Sequence, residues 1–322
     1  MRLPQTMQVI TDLNLFIKPK NAIITQGTFD GVHAGHRQIL GSIVQLAREQ
    51  NGKSILVTFH PHPRQVLYTD ENSIRLLTTL EEKIELFSAI GLDYLVILPF
   101  DETLSKMPGV NFVRDVLVDK IGVTTMVVGH DHRFGRNREA SFDDLKEFAE
   151  IYGFEVREIA AHDIREAVVS STKIRTSLLK GDILTANLFL ERDYSMSGKV
   201  VHGKNLGKGI GYPTANLEVK DKDKLIPANG IYAVRVKHHN KMYGGMLSIG
   251  NNPTIEEAAW SIEVNIFNFN KAIYGDELTL FFTEKMRDEV KFESLNDLKI
   301  QLKKDEISAK GILKKYEIEE GR

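Results

Sequence analysis

The sequence predicts an α/β plus β chain: a parallel, doubly wound sheet over the first half, then a six-stranded antiparallel β-barrel closed by a terminal helix. Three observations predict it. The chain has 322 residues, more than one core usually serves. Its first half alternates short apolar runs with segments of helical period. Its second half strings β-like segments between turn signals with no helix among them.

In the first half the strand candidates are "AIIT" (Ala22 to Thr25), "SILVTF" (Ser54 to Phe59), "YLVIL" (Tyr94 to Leu98), "TMVVG" (Thr125 to Gly129) and "FEVREI" (Phe154 to Ile159). Between them lie helical stretches. In "RQILGSIVQLAREQN" the residues Ile39, Leu40, Ile43, Val44 and Leu46 recur at helical spacing, and "LEEKIELFSAIG" and "DDLKEFAEIYG" follow the same period. Strand and helix in alternation place the strands side by side in parallel, with helices on both faces. A helical pair from Ser171 to about Asn187 ends this half.

From Ser195 onward the segments are "SGKVVHG", "YPTANLEV", "GIYAVRVKHH", "KMYGGMLSIG", "WSIEVNIFNF" and "ELTLFF". Six strands in hairpin succession close most simply as a small barrel. A charged helix, Leu295 to about Ile318, completes the chain, and its lysines alternate with acids and need no partner beyond water. The predicted domains are therefore 1–187 and 188–322.

Composition narrows the function classes. A formal charge of -2, from 42 basic and 44 acidic residues, gives no chain-wide attraction to nucleic acid or to an anionic membrane. Any phosphate must be held by a local site. The absence of cysteine excludes disulfides, thiolate catalysis and Cys-based zinc sites. The first twenty residues lack a continuous apolar stretch, and no run approaches the roughly 18 apolar residues of a membrane span. The expectation is a soluble cytoplasmic protein, and with no contiguous interface pattern legible, a monomer or weak oligomer.

In an open parallel sheet, ligands bind beyond the carboxyl ends of the strands, where helix N-termini offer free N–H groups. Three of the expected strands run into histidine pairs there: His33 and His36 in "GTFDGVHAGH", His60 and His62 in "TFHPHP", and His130 and His132 in "VVGHDHRFG". Three readings of this rim remain open on residue type alone: a histidine metal site, a polyphosphate site with imidazole donors, and helix-capping or core histidines without chemistry. No HExxH spacing is present, and the glycines point to close backbone approach to a ligand.

Taken with "SSTKIR" (Ser170 to Arg175), these strings in this order resemble the flavin branch of the nucleotidyltransferases, the bacterial bifunctional riboflavin kinase/FMN adenylyltransferase (FAD synthetase) family. The resemblance implies a Rossmann-like domain that transfers the adenylyl group of ATP to FMN. It implies that His36 stabilises the reacting phosphate and Arg175 grips the departing phosphates. Ser170, Ser171 and Thr172 would cap the last helix and touch phosphate or adenine, while Gly27, Phe29, Asp30, His33, Gly35, His62, Asp131 and Phe134 would line the nucleotide and flavin sites. The reaction needs no protein nucleophile, because the FMN phosphate attacks the α-phosphorus in line, so positioning and charge stabilisation carry the rate. The chain departs from the family at His132, where an aromatic is expected, and at Ala140 and Ser141, where glycine and aspartate usually stand.

The second motif set is "GKVVHGKNLGKGIGYPTANLEV", with glycines 203, 207, 209 and 211 and then Pro213 to Asn216. It is neither a Walker A loop nor a dinucleotide turn. Alone it reads as a flexible hairpin; followed by "IEVNIF" and "YGDELTLFF" it resembles the riboflavin kinase module of the same family. The resemblance implies that the loop, with Gly203, Lys208 and Gly209, covers ATP. Thr214 and Asn216 would hold Mg²⁺ or another divalent cation, Glu263 would be the general base for the ribityl hydroxyl of riboflavin, and Arg287 in "MRDEVKF" would lie near flavin. Lys208 stands for the family's arginine, Ile210, Gly211 and Tyr212 for its LGF, and Asn265 for a frequent histidine; a lysine supplies charge but no guanidinium fork. Two rival readings accompany these departures: a chain with one working site, and a flavin-binding regulator without turnover.

Overall fold

The structure, a computed structural model, describes residues 6–68, 74–129, 135–136, 140–159, 169–203, 206–251 and 260–320, with the side chains of 206, 208 and 317–320 outside that description. The chain divides into two compact units, Met1–Ser171 and Thr172–Arg322.

The first unit is built on a sheet of six strands, β1 (Gln8–Ile10), β2 (Ala22–Gln26), β3 (Lys53–His60), β4 (Tyr94–Pro99), β5 (Val123–Gly129) and β6 (Glu155–Ile159). All pairs are parallel, in the order β1-β4-β3-β2-β5-β6. Neighbouring residues point to opposite faces, so the sheet carries two cores. Ile24, Ile55, Val57, Val96 and Val128 face one, and Ile23, Leu56, Leu95, Ile97 and Val127 the other. That double burial explains why β2 is buried at every residue and opens with the apolar run Ala22–Ile24, its polar Thr25 and Gln26 coming only at the carboxyl end.

The helices of this unit are α1 (Ala34–Glu49), α2 (Pro63–Leu67), α3 (Leu80–Ile90), α4 (Glu102–Ser105), α5 (Gly109–Asn111), which runs on as a π-helix over Phe112–Ile121, and α6 (Phe142–Tyr152). α1 and α3 cover one face through Ile39, Leu40, Ile43 and Phe87. The π-helix and α6 cover the other through Phe112, Leu117, Ile121 and Leu145. Local sequence sets their ends: Thr79 and Glu82 form a capping box at the start of α3, and Gly91, at φ +89°, stops it. The departure at Ser141 has a local use, since Ser141 and Asp144 cap α6 in the same way.

Several elements here lie outside the sequence expectation: the short helices α2, α4 and α5, a 3-10 turn at Leu13–Leu15, the strand β1 and the π-helix. β1 is a three-residue edge strand with one half-buried side chain, too short to carry a periodic signal. The π-helix buries Val113, Leu117 and Ile121, a repeat of four that drifts away from the 3.6-residue period.

In the second unit β7 (Tyr194–Val201), β8 (Ala215–Val219), β9 (Gly230–His238), β10 (Lys241–Gly250), β11 (Ser261–Ile266) and β12 (Glu277–Arg287) close into a barrel in the order β10-β11-β8-β7-β12-β9. All six neighbours are antiparallel. Tyr194, Tyr232, Val234, Leu247, Val264 and Phe282 are buried along alternate positions of the strands. The expected helical pair is two helices, α7 (Ser171–Lys180) and α8 (Ile183–Leu190), parted by Gly181 at φ +77°. They belong with the barrel: Ala228 N–H donates to Leu178 O (3.0 Å), and the Asn187 carboxamide donates to Phe282 O (2.7 Å) and accepts from Tyr194 N (2.8 Å). The compact units thus part sixteen residues before the position where the sequence pattern changes, a count from 171 to 187.

A short turn, α9 (Leu206–Gly209), and the long α10 (Leu295–Glu320) complete the unit. Ala309 and Leu313 of α10 pack on Ala233, Met246 and Phe267. Arg287, at the end of β12, forks onto the buried Asp305 at 3.0 and 2.6 Å, which ties α10 to the barrel wall.

Candidate active sites

The strand order reverses beside β2: β3 pairs on one side and β5 on the other, so the crevice for a ligand opens beyond the carboxyl end of β2. The loop from Gly27 to His33 fills that position. Its backbone is strained, with left-handed φ at Phe29 (47°) and Val32 (40°), neither of them glycine. Such a conformation persists only when its surroundings hold it.

Asp30 is the principal anchor. It is 2% exposed and accepts hydrogen bonds from Leu77 N (3.0 Å), Thr78 N (3.1 Å) and Thr78 Oγ1 (3.1 Å), while Gly31 N donates to the same Thr78 hydroxyl (3.0 Å). Ser171 Oγ donates to the Asp30 carbonyl at 2.8 Å, which brings the start of "STKIR" to the loop. The sequence reading missed a further group. Lys83 of α3 is 3% exposed, with Nζ 3.4 Å from Thr28 O. Burial pushes its ammonium below the ordinary lysine value, and the Asp30 carboxylate pulls partly back. One signal was legible: Lys83 occupies an apolar-stripe position beside Leu80, Ile84 and Phe87.

His33 is the N-cap of α1, and its Nδ1 accepts from His36 N at 3.3 Å. In the neutral ring the proton then resides on Nε2, which makes that nitrogen a donor. The rings of His33 and His36 stack at 3.5 Å between centroids, and Phe29 meets His36 edge-on at 4.9 Å. Gly35 is buried in the first helical turn. One turn of helix therefore presents two imidazoles at its N-terminus, where an anion is favoured. On the neighbouring strand, His62 caps α2 by accepting from Arg64 N (3.1 Å). His60 is exposed at the end of β3.

Gly27, Phe29, Asp30, His33, Gly35, His36 and Ser171 are thus brought together, and His62 stands at the adjacent strand end. Ser170 is half-buried just before α7. Thr172 and Arg175 lie on α7 within the second unit. Asp131 and Phe134, with His130 and His132, lie outside the described residues.

The barrel assembles its own set. Glu263 on β11 is paired in register with Asn216 on β8. Thr214 Oγ1 donates to Glu263 Oε2 at 2.9 Å and Ser261 Oγ to Oε1 at 3.0 Å, so two hydroxyls fix the carboxylate. Asn265, at the position where the family often has histidine, is 8% exposed and donates to Pro213 O at 2.7 Å, holding the "PTAN" turn against β11. A Cβ at Gly203 would lie 2.0 Å from Asn216 Nδ2, so a larger residue there would displace that carboxamide.

Tyr212, which stands in the place of the family's phenylalanine, uses its extra oxygen. Its hydroxyl donates to Glu306 of α10 at 3.0 Å. Lys310 and Lys303 also bond Glu306, at 2.6 and 3.1 Å, and these partners outweigh burial and hold its carboxyl down at about 2. The glycine loop is thereby tethered to the terminal helix. Gly209 is exposed in α9, and the side chain of Lys208 lies outside the described residues.

Residues 16–173 match the family model described as FAD synthetase, and residues 190–313 the one described as riboflavin kinase. Two curated relatives are similar over nearly the whole chain. A bifunctional riboflavin kinase/FMN adenylyltransferase from Listeria monocytogenes is 35% identical across 92% of this chain and 94% of its own. Its namesake from Buchnera aphidicola is also 35% identical, across 88% and 92% respectively. Among solved structures, one described as a macrolide-efflux protein from Streptococcus pneumoniae superposes with a TM-score of 0.84 at 29% identity, covering 95% of this chain and 99% of that one. No helix among the described residues is long and apolar enough to cross a membrane.

Proposed function

Because the chain belongs to the bifunctional riboflavin kinase/FMN adenylyltransferase family, we propose that its barrel converts riboflavin and ATP to FMN and that its parallel-sheet unit converts FMN and a second ATP to FAD and pyrophosphate. The observation that carries this reading is the carboxylate of Glu263, held by two hydroxyls and paired in register with Asn216 beside the glycine loop.

In the kinase step the ribityl hydroxyl attacks the γ-phosphorus of ATP, its proton passes to Glu263, and the bond from that phosphorus to the bridging oxygen breaks to release ADP. The hydrogen bonds from Thr214 and Ser261 orient Glu263 toward one proton donor. The Thr214 hydroxyl and the Asn216 carbonyl are hard oxygen donors of the kind Mg²⁺ prefers, and the ion bound there would neutralise phosphate charge. Gly203 lets the loop backbone approach, with Lys208 and Gly209 over the phosphates and Arg287 toward the flavin side.

In the adenylylation step an FMN phosphate oxygen bonds to the α-phosphorus as pyrophosphate leaves. His33 and His36 donate to the phosphate oxygens from the first turn of α1, and Arg175 with Ser170, Ser171 and Thr172 grips the departing charge. Gly27, Phe29, Asp30, Gly35 and His62 shape the pocket, and the family resemblance adds Asp131 and Phe134 as nucleotide or flavin contacts. The balanced charge of -2 supports small-molecule substrates over nucleic acid or an anionic membrane, and the reading extends to a cytoplasmic monomer or weak oligomer.

The test is chromatographic: purified protein with riboflavin, ATP and Mg²⁺, sampled over time. FMN followed by FAD is expected, and FMN alone under aerobic and reducing conditions would overturn the second half of the reading.

A further inference from the structure

A second cluster of chemically competent side chains stands on the barrel, in residues that neither reaction uses. β9 ends at His238, which is 8% exposed, and the chain turns through His239 and Asn240 into β10. In an extended strand adjacent side chains point to opposite faces. His239, however, is the first of the two turn residues between the paired His238 and Lys241, and its backbone is left-handed, φ +51°, as a two-residue hairpin turn requires at that position. The consequence is that both imidazoles lie together, their centroids 4.2 Å apart.

Asp276 meets them from the start of β12. Its Oδ2 lies 2.8 Å from His238 Nε2 and 3.8 Å from His239 Nε2. Its backbone is pinned on both sides: Val200 N donates to Asp276 O (2.8 Å), and Asp276 N donates to Ile273 O (3.1 Å). Phe269 packs edge-on against His238 and walls one side of the cluster.

We propose that His238, His239 and Asp276 bind one first-row transition-metal ion, of which Zn²⁺ is the reference species, and that the ion staples the β9–β10 turn to β12. All three ligand atoms lie within 4.8 Å of one another. Ligands about 2.0–2.2 Å from a shared ion sit roughly 3–3.5 Å apart, so the His238–Asp276 pair, 2.8 Å apart, opens slightly to admit the ion and a rotation of the exposed His239 supplies the third ligand. Two imidazoles and one carboxylate suit Zn²⁺, Co²⁺ or Ni²⁺, whereas Mg²⁺ prefers an all-oxygen shell. The site is thus chemically distinct from one that serves metal-ATP. An ordinary His238–Asp276 hydrogen bond and a hairpin turn do not require the second imidazole to lie 4.2 Å from the first with its Nε2 3.8 Å from the same carboxylate oxygen, as it does here.

The experiment uses the untagged full chain, stripped of metal with a chelator and titrated with Zn²⁺ by calorimetry and with Co²⁺ by visible absorbance. The His33–His36 rim is a separate potential ligand source, so the diagnostic is the difference between the wild type and His239→Ala. The expected result is one fewer site, or affinity at that site weakened about 100-fold or more, with loss of the Zn²⁺-dependent rise in Tm and unchanged FMN formation with Mg²⁺-ATP. His238→Asn gives the same loss where it folds. Identical isotherms for wild type and His239→Ala, or no wild-type binding tighter than millimolar, overturn the proposal.

Discussion

At the scale of single residues, the proposed roles of His36 and Glu263 make opposite predictions. His36→Ala is expected to lower FAD formation by about 10²- to 10³-fold while leaving FMN formation intact. Glu263→Gln should do the reverse, by about 10²- to 10⁴-fold, and the two activities measured on each variant check both statements. Asp30 is a buried anchor rather than a reacting group. Asp30→Ala removes the acceptor of Leu77 N and Thr78 N and leaves Lys83 buried without its carboxylate, so it should cost about 3 kcal/mol by urea denaturation and take FAD formation with it. The motif residues were legible because they stand in fixed strings. Lys83 was not singled out, because a lysine in an apolar stripe acquires its meaning only when Thr28 and Asp30, more than fifty residues earlier, come to lie against it.

At the scale of elements, the link between the glycine loop and α10 carries a pH signature. The Glu306 carboxyl is held at about 2, below its ordinary 4.5, so its ionised form is favoured in the folded barrel. That stabilisation is complete above about pH 4.5 and is lost as pH falls toward 2. Burial acts against Asp93, but Lys53 at 2.7 Å and the Ser54 N–H and hydroxyl hold its carboxyl low as well, with the same sign. Urea midpoints between pH 5 and pH 2 should therefore fall for the wild type and fall less steeply for Glu306→Gln. The β10 segment, read from sequence as "KMYGGMLSIG", matches its observed limits end to end, because turn residues bound it on the side of β9. β1 and the π-helix escaped the same logic: one takes its strand character from pairing with β4, and the other winds off the period that sequence analysis tests.

For the whole molecule, the two compact units make a prediction about boundaries. Ile174, Leu178, Ile183, Ala186 and Leu190 of α7 and α8 are buried within the second unit, so a kinase module should begin near residue 172 rather than 188. Fragments 172–322 and 188–322 distinguish the two. The longer should unfold cooperatively and form FMN, and the shorter should melt more than about 10 °C lower, since each lost apolar contact of this kind is worth about 2 kcal/mol or more. Equal Tm values would return the boundary to the change in sequence pattern.

By itself the sequence determined the two architectures and the family, since strand and helix periods are local and the motif strings survive as strings. It also determined the residue types available to each reaction, with cysteine excluded. The tertiary structure alone decided which partners hold those residues: the carboxylate under the GTFDG loop, the hydroxyls on Glu263, the tether from Tyr212 to α10, and the meeting of His238 and His239 with Asp276. The physical reason is range. Periodicity and turn chemistry act over a few residues, whereas burial, charge pairing and register act between segments far apart in the chain, and only the folded backbone brings those segments within a hydrogen bond of each other.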